Sequence, residues 1–283
     1  MNKQKRVLAI HDISCFGRCS LTVALPIISA TGMEATVLPT AVLSTHTGGF
    51  TGFTYRDLTA DILPIAEHWQ GLNLAFDSIY TGFLGSFEQL DIVSDLFTRF
   101  GTDENLILVD PVMADNGKLY TLFPENFPDG MRKLCAQADV IVPNITEAAL
   151  MLGESYQEGP YTTEYIDGLL KKLASLGSKQ VVLTGVYFNE QELGSAAYDV
   201  RTGEVHYAMA KRIEGYYHGT GDVYGSALLS ALLSGQPLRR ASEIAVNFTA
   251  GSILRTKEAG TDIRFGVNFE MGLAELARQV AEV

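Results

Sequence analysis

Residues 106–111, Leu-Ile-Leu-Val-Asp-Pro, and residues 138–147, Ala-Asp-Val-Ile-Val-Pro-Asn-Ile-Thr-Glu, flank a helix-period segment at Phe127–Ala136. Each apolar run is short, rich in Ile and Val, and closed at once by a proline with a polar residue beside it, so each reads as a buried strand ending in a turn. Strand, helix and strand in that order form a βαβ unit, which places the two strands parallel. Outward from this unit the alternation continues. Val7–Ile10, Thr36–Leu38, Ser78–Tyr80 and Val181–Leu183 read as strands, beside Leu106–Val109 and Val140–Val142. Ser20–Ala30, Tyr55–Trp69, Phe87–Phe100 and Thr163–Leu176 read as helices between them. The fold class is therefore α/β, a mostly parallel sheet with helices on both faces.

Two stretches break the rhythm. Residues 39–53 are rich in Gly and Thr, and Gly194–Val200 with Glu204–Ala210 flank Arg201-Thr202-Gly203 as an antiparallel hairpin. Both are expected as additions over one edge of the sheet. Asp222–Leu233, Ala241–Lys257 and Phe269–Val283 then read as closing helices, and with no repeat, low-complexity tract or linker, residues 1–283 are expected to form a single domain.

Composition narrows the function. The 283 residues are 47% hydrophobic and 19% charged, ample for a packed core. Lys plus Arg number 21 against 33 Asp plus Glu, a net charge of −12 that repels nucleic acid and anionic membranes. An anionic ligand must then be held locally, by backbone N–H groups, a helix N-terminus or a metal ion. Cys15, Cys19 and Cys135 cannot form a disulfide framework and fit a reducing compartment, the cytoplasm. The apolar run after the basic MNKQKR start ends at His11, too short for a signal core, and no run reaches the length of a membrane span. A zinc site from Cys15, Cys19 and His11 lacks a fourth ligand and CxxC spacing.

Three motifs carry chemistry. In His218-Gly219-Thr220-Gly221-Asp222, glycines run directly into an apolar helix, a place where unpaired N–H groups converge on an anion. Asp110, before Pro111, stands at the carboxyl end of a strand, where open α/β sheets bind ligands. Asn144 and Glu147 stand at the start of the next helix. Each has a structural counterpart: Asp222 as an N-cap, Asp110 as a turn opener, Asn144 with Glu147 as a capping pair. Together they place carboxylates and a glycine-lined helix start along one sheet edge, a combination suited to Mg²⁺ bridging nucleotide phosphates through water. Neither the six-residue dinucleotide fingerprint nor the P-loop pattern is present.

Six segments in order, IHDISCFGR (10–18), STHTGG (44–49), YTGFLGS (80–86), DPVM (110–113), VPNITE (142–147) and HGTGD (218–222), make the chain similar to the pyridoxal kinases of the ribokinase-like superfamily. The resemblance implies a three-layer fold with a small β flap at one edge and transfer of the ATP γ-phosphoryl group to the 5′-hydroxymethyl of pyridoxal, pyridoxamine or pyridoxine. It casts Asp222 as the base, with the Gly219 and Gly221 amides on the transferring group. Asp12, His46, Thr47 and Tyr80 become substrate contacts beside Asp222. Asp110, Tyr120, Asn144, Glu147, Thr184, Gly219, Thr220 and Gly221 become nucleotide contacts, with Asp110 and Glu147 holding Mg²⁺ through water. A homodimer is the family expectation. Two departures stand out. Relatives commonly carry Ser where this chain has Asp12, whose carboxylate would favour a protonated pyridine ring. Many bacterial relatives have Lys where this chain has Thr184, which points to greater reliance on Mg²⁺ or a monovalent cation. The hydroxymethylpyrimidine kinases of thiamine synthesis share the fold and the glycine–Asp device and are the nearest alternative. A non-catalytic B6-binding protein is a further one, against which the intact Asp222, Gly219 and Gly221 weigh.

Overall fold

A computed structural model describes residues 4–282; the last residue of the expected terminal helix, Val283, lies outside them. The strands are β1 (Arg6–Ser14), β2 (Glu34–Leu43), β3 (Tyr55–Asp57), β4 (Ser78–Thr81), β5 (Leu106–Val109), β6 (Ala114–Asp115), β7 (Lys118–Leu119), β8 (Val140–Ile141), β9 (Gln180–Val186), β10 (Glu192–Asp199) and β11 (Glu204–Lys211). The helices are α1 (Leu21–Ala30), α2 (Thr59–Gly71), α3 (Phe87–Phe100), α4 (Phe127–Cys135), α5 (Ile145–Leu152), α6 (Thr163–Ala174), α7 (Thr220–Leu233), α8 (Leu238–Ala259) and α9 (Leu273–Ala281).

Nine strands form one sheet in the order β11-β10-β9-β8-β5-β4-β1-β2-β3, parallel from β9 through β2 and antiparallel at both ends. The period-2 pattern sends alternate side chains to opposite faces. Leu8, Ile10, Ile79, Ile107, Val109, Ile141, Val181 and Leu183 pack under α2 to α6. Val7, Tyr80, Leu108, Val140, Val142 and Val182 pack under α1, α7, α8 and α9. Each fully buried aliphatic or aromatic side chain stabilises the fold by about 1.5–3 kcal/mol. Two apolar layers on one sheet thus fix the three-layer arrangement. From β1 the chain moves outward to β2, then crosses back to β4 on the other side of β1. Strand order reverses there, opening a crevice at the carboxyl ends of β1 and β4.

Three expectations are corrected. The hairpin and the 39–53 stretch lie at opposite ends of the strand order: β10 and β11 extend the sheet beyond β9, while residues 39–43 belong to β2 at the far side. Tyr55–Asp57 is not the first turn of a helix but an edge strand paired with Ala41–Leu43. The α2 helix waits until Thr59, whose N–H donates to Asp57 Oδ1 (2.8 Å). Phe269 likewise precedes the last helix, separated from it by a 3₁₀ turn at Glu270–Gly272.

Candidate active site

All the parallel strands point their carboxyl ends at one cavity of about 860 Å³. Asp12, His46, Thr47, Asp110, Tyr120, Asn144, Glu147, Thr184, Gly219, Thr220, Gly221 and Asp222 all line it, so residues spread over more than two hundred positions converge. Tyr80 does not. Its side chain is fully buried under α7, where a Cβ on Gly225 would come within 2.6 Å of its hydroxyl, within reach of the Asp110 and Asp222 charges. The structure does not bring Tyr80 to the cavity surface with the other expected contacts; its ring packs edge-on against His11 (ring centroids 4.4 Å apart).

At the helix start, Gly219 is the N-cap of α7 with φ 75°, and Asp222 sits in the first turn rather than capping it. The first-turn amides therefore stay free to face the cavity. Burial pushes the Asp222 carboxyl up to about 7, aided by the Asp12 charge and opposed by the Ser20 backbone. A carboxylate with that proton affinity can take a proton at neutral pH.

Across the cavity, Asn144 and Glu147 do form a capping box at the start of α5: Glu147 N donates to Asn144 Oδ1 and Asn144 N donates to Glu147 Oε2, both at 2.9 Å. Glu147 Oε1 also accepts from the N–H groups of Met113 (3.0 Å) and Ala114 (3.4 Å). That carboxylate thereby ties the helix to the segment just after Asp110. Burial raises both Asp110 and Glu147, and no positively charged group opposes it at either. Uncompensated negative charge of this kind fits a cation. Among the described residues no group of three or more His, Cys, Asp or Glu could hold a metal ion.

At the other end, Asp12 is buried and accepts from the hydroxyls of Ser14 (3.0 Å) and Ser20 (2.5 Å). His46 is fully committed: its Nδ1 accepts from Gly48 N (3.1 Å), so its Nε2 donates to the Arg264 carbonyl (2.6 Å). It presents a ring face, not a free nitrogen. The imidazole the sequence reading left without a role is His218, which lines the cavity 5.0 Å from the His46 ring; burial lowers its pKa and keeps it neutral. Also missed was the β6–β7 hairpin, whose Asn116-Gly117 turn has both residues at positive φ (50° and 75°), a hairpin signal readable from the sequence. It carries Lys118 to the cavity, which Lys211 at the end of β11 also lines.

Amides at a helix start, a carboxylate able to take a proton beside them and two buried acids across the cavity have the make-up of phosphoryl-transfer machinery, set at the strand ends of a ribokinase-like fold. The phosphomethylpyrimidine kinase family model matches residues 25–266, and the chain belongs to that family. A protein of Bacteroides thetaiotaomicron VPI-5482, provisionally named a phosphomethylpyrimidine kinase and crystallised with pyridoxal, is 38% identical and covers 97% of this chain and 96% of its own, with a TM-score of 0.92. The pyridoxal kinase of Lactobacillus plantarum is 32% identical over 98% of each chain, with a TM-score of 0.89. The pyridoxine/pyridoxal/pyridoxamine kinase of Bordetella avium is 25% identical over 268 residues, 89% of this chain and 86% of that protein.

Proposed function

We propose that this chain transfers the γ-phosphoryl group of ATP to the 5′-hydroxymethyl of a vitamin B6 compound. The observation that carries the reading is the placement of Asp222, a carboxylate poised near 7, at a glycine-lined helix start inside a cavity roomy enough for a nucleotide and a small ring together. The likeness to a protein crystallised with pyridoxal and to a pyridoxal kinase supports the B6 acceptor. The family model's own name keeps hydroxymethylpyrimidine as the second acceptor to be tried.

In the step, the acceptor oxygen attacks the γ-phosphorus as Asp222 takes its proton, and the bond from phosphorus to the bridging oxygen breaks, leaving ADP with the electron pair. The Gly219 to Gly221 amides face the charge on the transferring group. Apolar Leu193, Ile213, Val246 and Ile253 form the wall on which the base can lie, with Thr184 and Tyr120 nearer the phosphates. Asp110 and Glu147 are the residues that would hold Mg²⁺, which when bound would supply positive charge to the phosphates; a monovalent cation belongs to the same proposal. One kinase domain over the chain, a homodimer and a cytoplasmic setting complete the reading.

The test is ATP consumption with Mg²⁺ and, separately, pyridoxal, pyridoxamine, pyridoxine and hydroxymethylpyrimidine. Turnover of a B6 compound is expected; turnover of the pyrimidine alone would move the protein to the second acceptor, and none at all would leave a binding protein.

Two substitutions probe the ends of the site. Glu147→Gln retains one acceptor oxygen of the capping box and loses the charge, so melting should fall by a few degrees, for about 1 kcal/mol of cap, and the Mg²⁺ concentration at half-activity should rise. Lower melting with unaltered Mg²⁺ dependence would confine Glu147 to capping. Asp12→Asn removes the charge that favours a pyridinium ring, so the acceptor KM should rise about tenfold, one pKa unit's worth, and its pH dependence should flatten. An unchanged KM across pH 5.5–8.5 would take Asp12 off the ring.

A further inference from the structure

Ser20 has an unusual backbone for a serine. Its φ is 56° and ψ −130°, the conformation of the first central residue of a type II′ turn, where glycine is at home and a Cβ is crowded. It is also buried, at the junction between the FGRC segment and α1, with its carbonyl accepting from Val23 and Ala24 to start the helix. Glycine would meet the backbone requirement without strain. What serine adds is a hydroxyl, and the hydroxyl donates to Asp12 Oδ1 at 2.5 Å. The backbone that carries Ser20 also packs against the start of α7, where a Cβ on Gly219 would collide with the Arg18 carbonyl oxygen and meet Cys19 Sγ at 3.4 Å, and the Ser20 backbone favours the charged form of Asp222 in that first turn. Strain kept at a site built from two functional carboxylates is where a mechanistic role is to be sought.

We infer that Ser20 is a positioning residue for phosphoryl transfer, its hydroxyl fixing Asp12 at the ring end of the acceptor from a backbone segment packed against the helix start that carries Asp222 at the alcohol end. The inference rests on the acceptor roles proposed above for those two carboxylates. One residue thereby sets the spacing between ring recognition and proton removal, which an acceptor with both groups on one rigid ring requires. The surroundings hold Ser20 in place: Thr22 Oγ1 donates to the carbonyls of Gly17 (3.0 Å) and Cys19 (2.8 Å), and Arg18 N donates to Phe265 O (3.0 Å). Ser14, the second donor to Asp12, touches only that one carboxylate. Facing Asp12 are also His46, Asp222, the Cys19 thiol and, farther out, Tyr55.

The test compares Ser20→Gly and Ser20→Ala with the native chain. Ser20→Gly should melt at or above the native temperature, because strain is released, yet its acceptor KM should rise about tenfold with the ATP KM unchanged. Ser20→Ala should show the same KM change. Hydroxyl donation stabilises the carboxylate, so both variants should shift the acidic limb of the acceptor binding profile to higher pH. Native kinetics in Ser20→Gly, or an equal loss of acceptor and ATP affinity with lowered melting in both variants, would overturn the inference. Equilibrium binding of pyridoxal measured in parallel separates this failure from that of the kinase reading: a native chain that binds but does not turn over fails only the latter.

Discussion

Asp222→Asn is expected to bind ATP as the native chain does, to turn over 10²- to 10⁴-fold more slowly, the range for a lost general base, and to be the more stable protein at pH 8. The stability gain follows from the same environment that makes the base. Because burial raises the folded-state carboxyl to about 7, the fold favours its protonated form. Ionisation weighs against the fold progressively as pH rises from about 4 to 7, and the whole penalty remains above 7. Asparagine has the shape without the charge. Its melting advantage should be absent near pH 4, grow through that window and level off above it. The carboxyl lines an open cavity rather than a closed core, so screening keeps the gain to about 1–2 kcal/mol, a few degrees at most. Activity assays and melting curves from pH 4 to 8 check both halves. Undiminished turnover would remove Asp222 from the chemistry, and lower stability at every pH would make its charge a structural asset instead.

The fold was legible wherever period and length coincided. Leu106–Val109 and Phe87–Phe100 have the bounds the sequence pattern predicts, because an apolar run between turn formers and an amphipathic stripe are local properties. Tyr55–Asp57 was not legible, since its strand character comes from hydrogen bonds to Ala41–Leu43 that no local pattern records. The site divides in the same way. Gly219, Gly221 and Asp222 could be read because a glycine-lined helix start is contiguous in sequence. That Tyr80 is buried rather than at the cavity surface was not legible, because which strand residues a neighbouring helix covers depends on the packing of α7 on the sheet. Ser20 and His218 gain their meaning from neighbours distant in the chain, Asp12 and Asp222 for the first and the His46 loop for the second.

The net charge of −12 sharpened the search, since an acidic chain that handles phosphate must localise its positive potential. The cavity does so at three points. Arg212 is engaged with Glu190 (2.5 Å) and lies over the Tyr187 ring. Lys118 and Lys211 join no ion pair among the described residues. These two lysines and the start of α7 line the same cavity as the neutral Thr184, so the cavity does not lack cations.

Gly219→Ala should damage the protein at both levels, stability and chemistry, and a control can separate them. At φ 75° a side chain is strained wherever it stands, and here a Cβ would also collide with the Arg18 carbonyl oxygen. Arg18 cannot easily retreat, because its N–H is bonded to Phe265 O and its guanidinium to Glu270 Oε1 (2.5 Å). Relief must come from moving the start of α7, which carries Gly221 and Asp222, or the 17–20 segment, which carries Ser20. Either movement misaligns the amides and the base, so kcat should fall about 10²- to 10³-fold, as when one oxyanion-type donor is lost. Stability should fall by about 2–4 kcal/mol. Gly235→Ala supplies the comparison: its φ of 94° imposes the same kind of strain, but nothing lies within 4 Å of the added carbon. That variant should lose about 1 kcal/mol and keep native kcat. If Gly219→Ala lost no more stability than Gly235→Ala and turned over normally, the contact between the Arg18 backbone and the helix start would not be what holds the phosphoryl-binding amides in place.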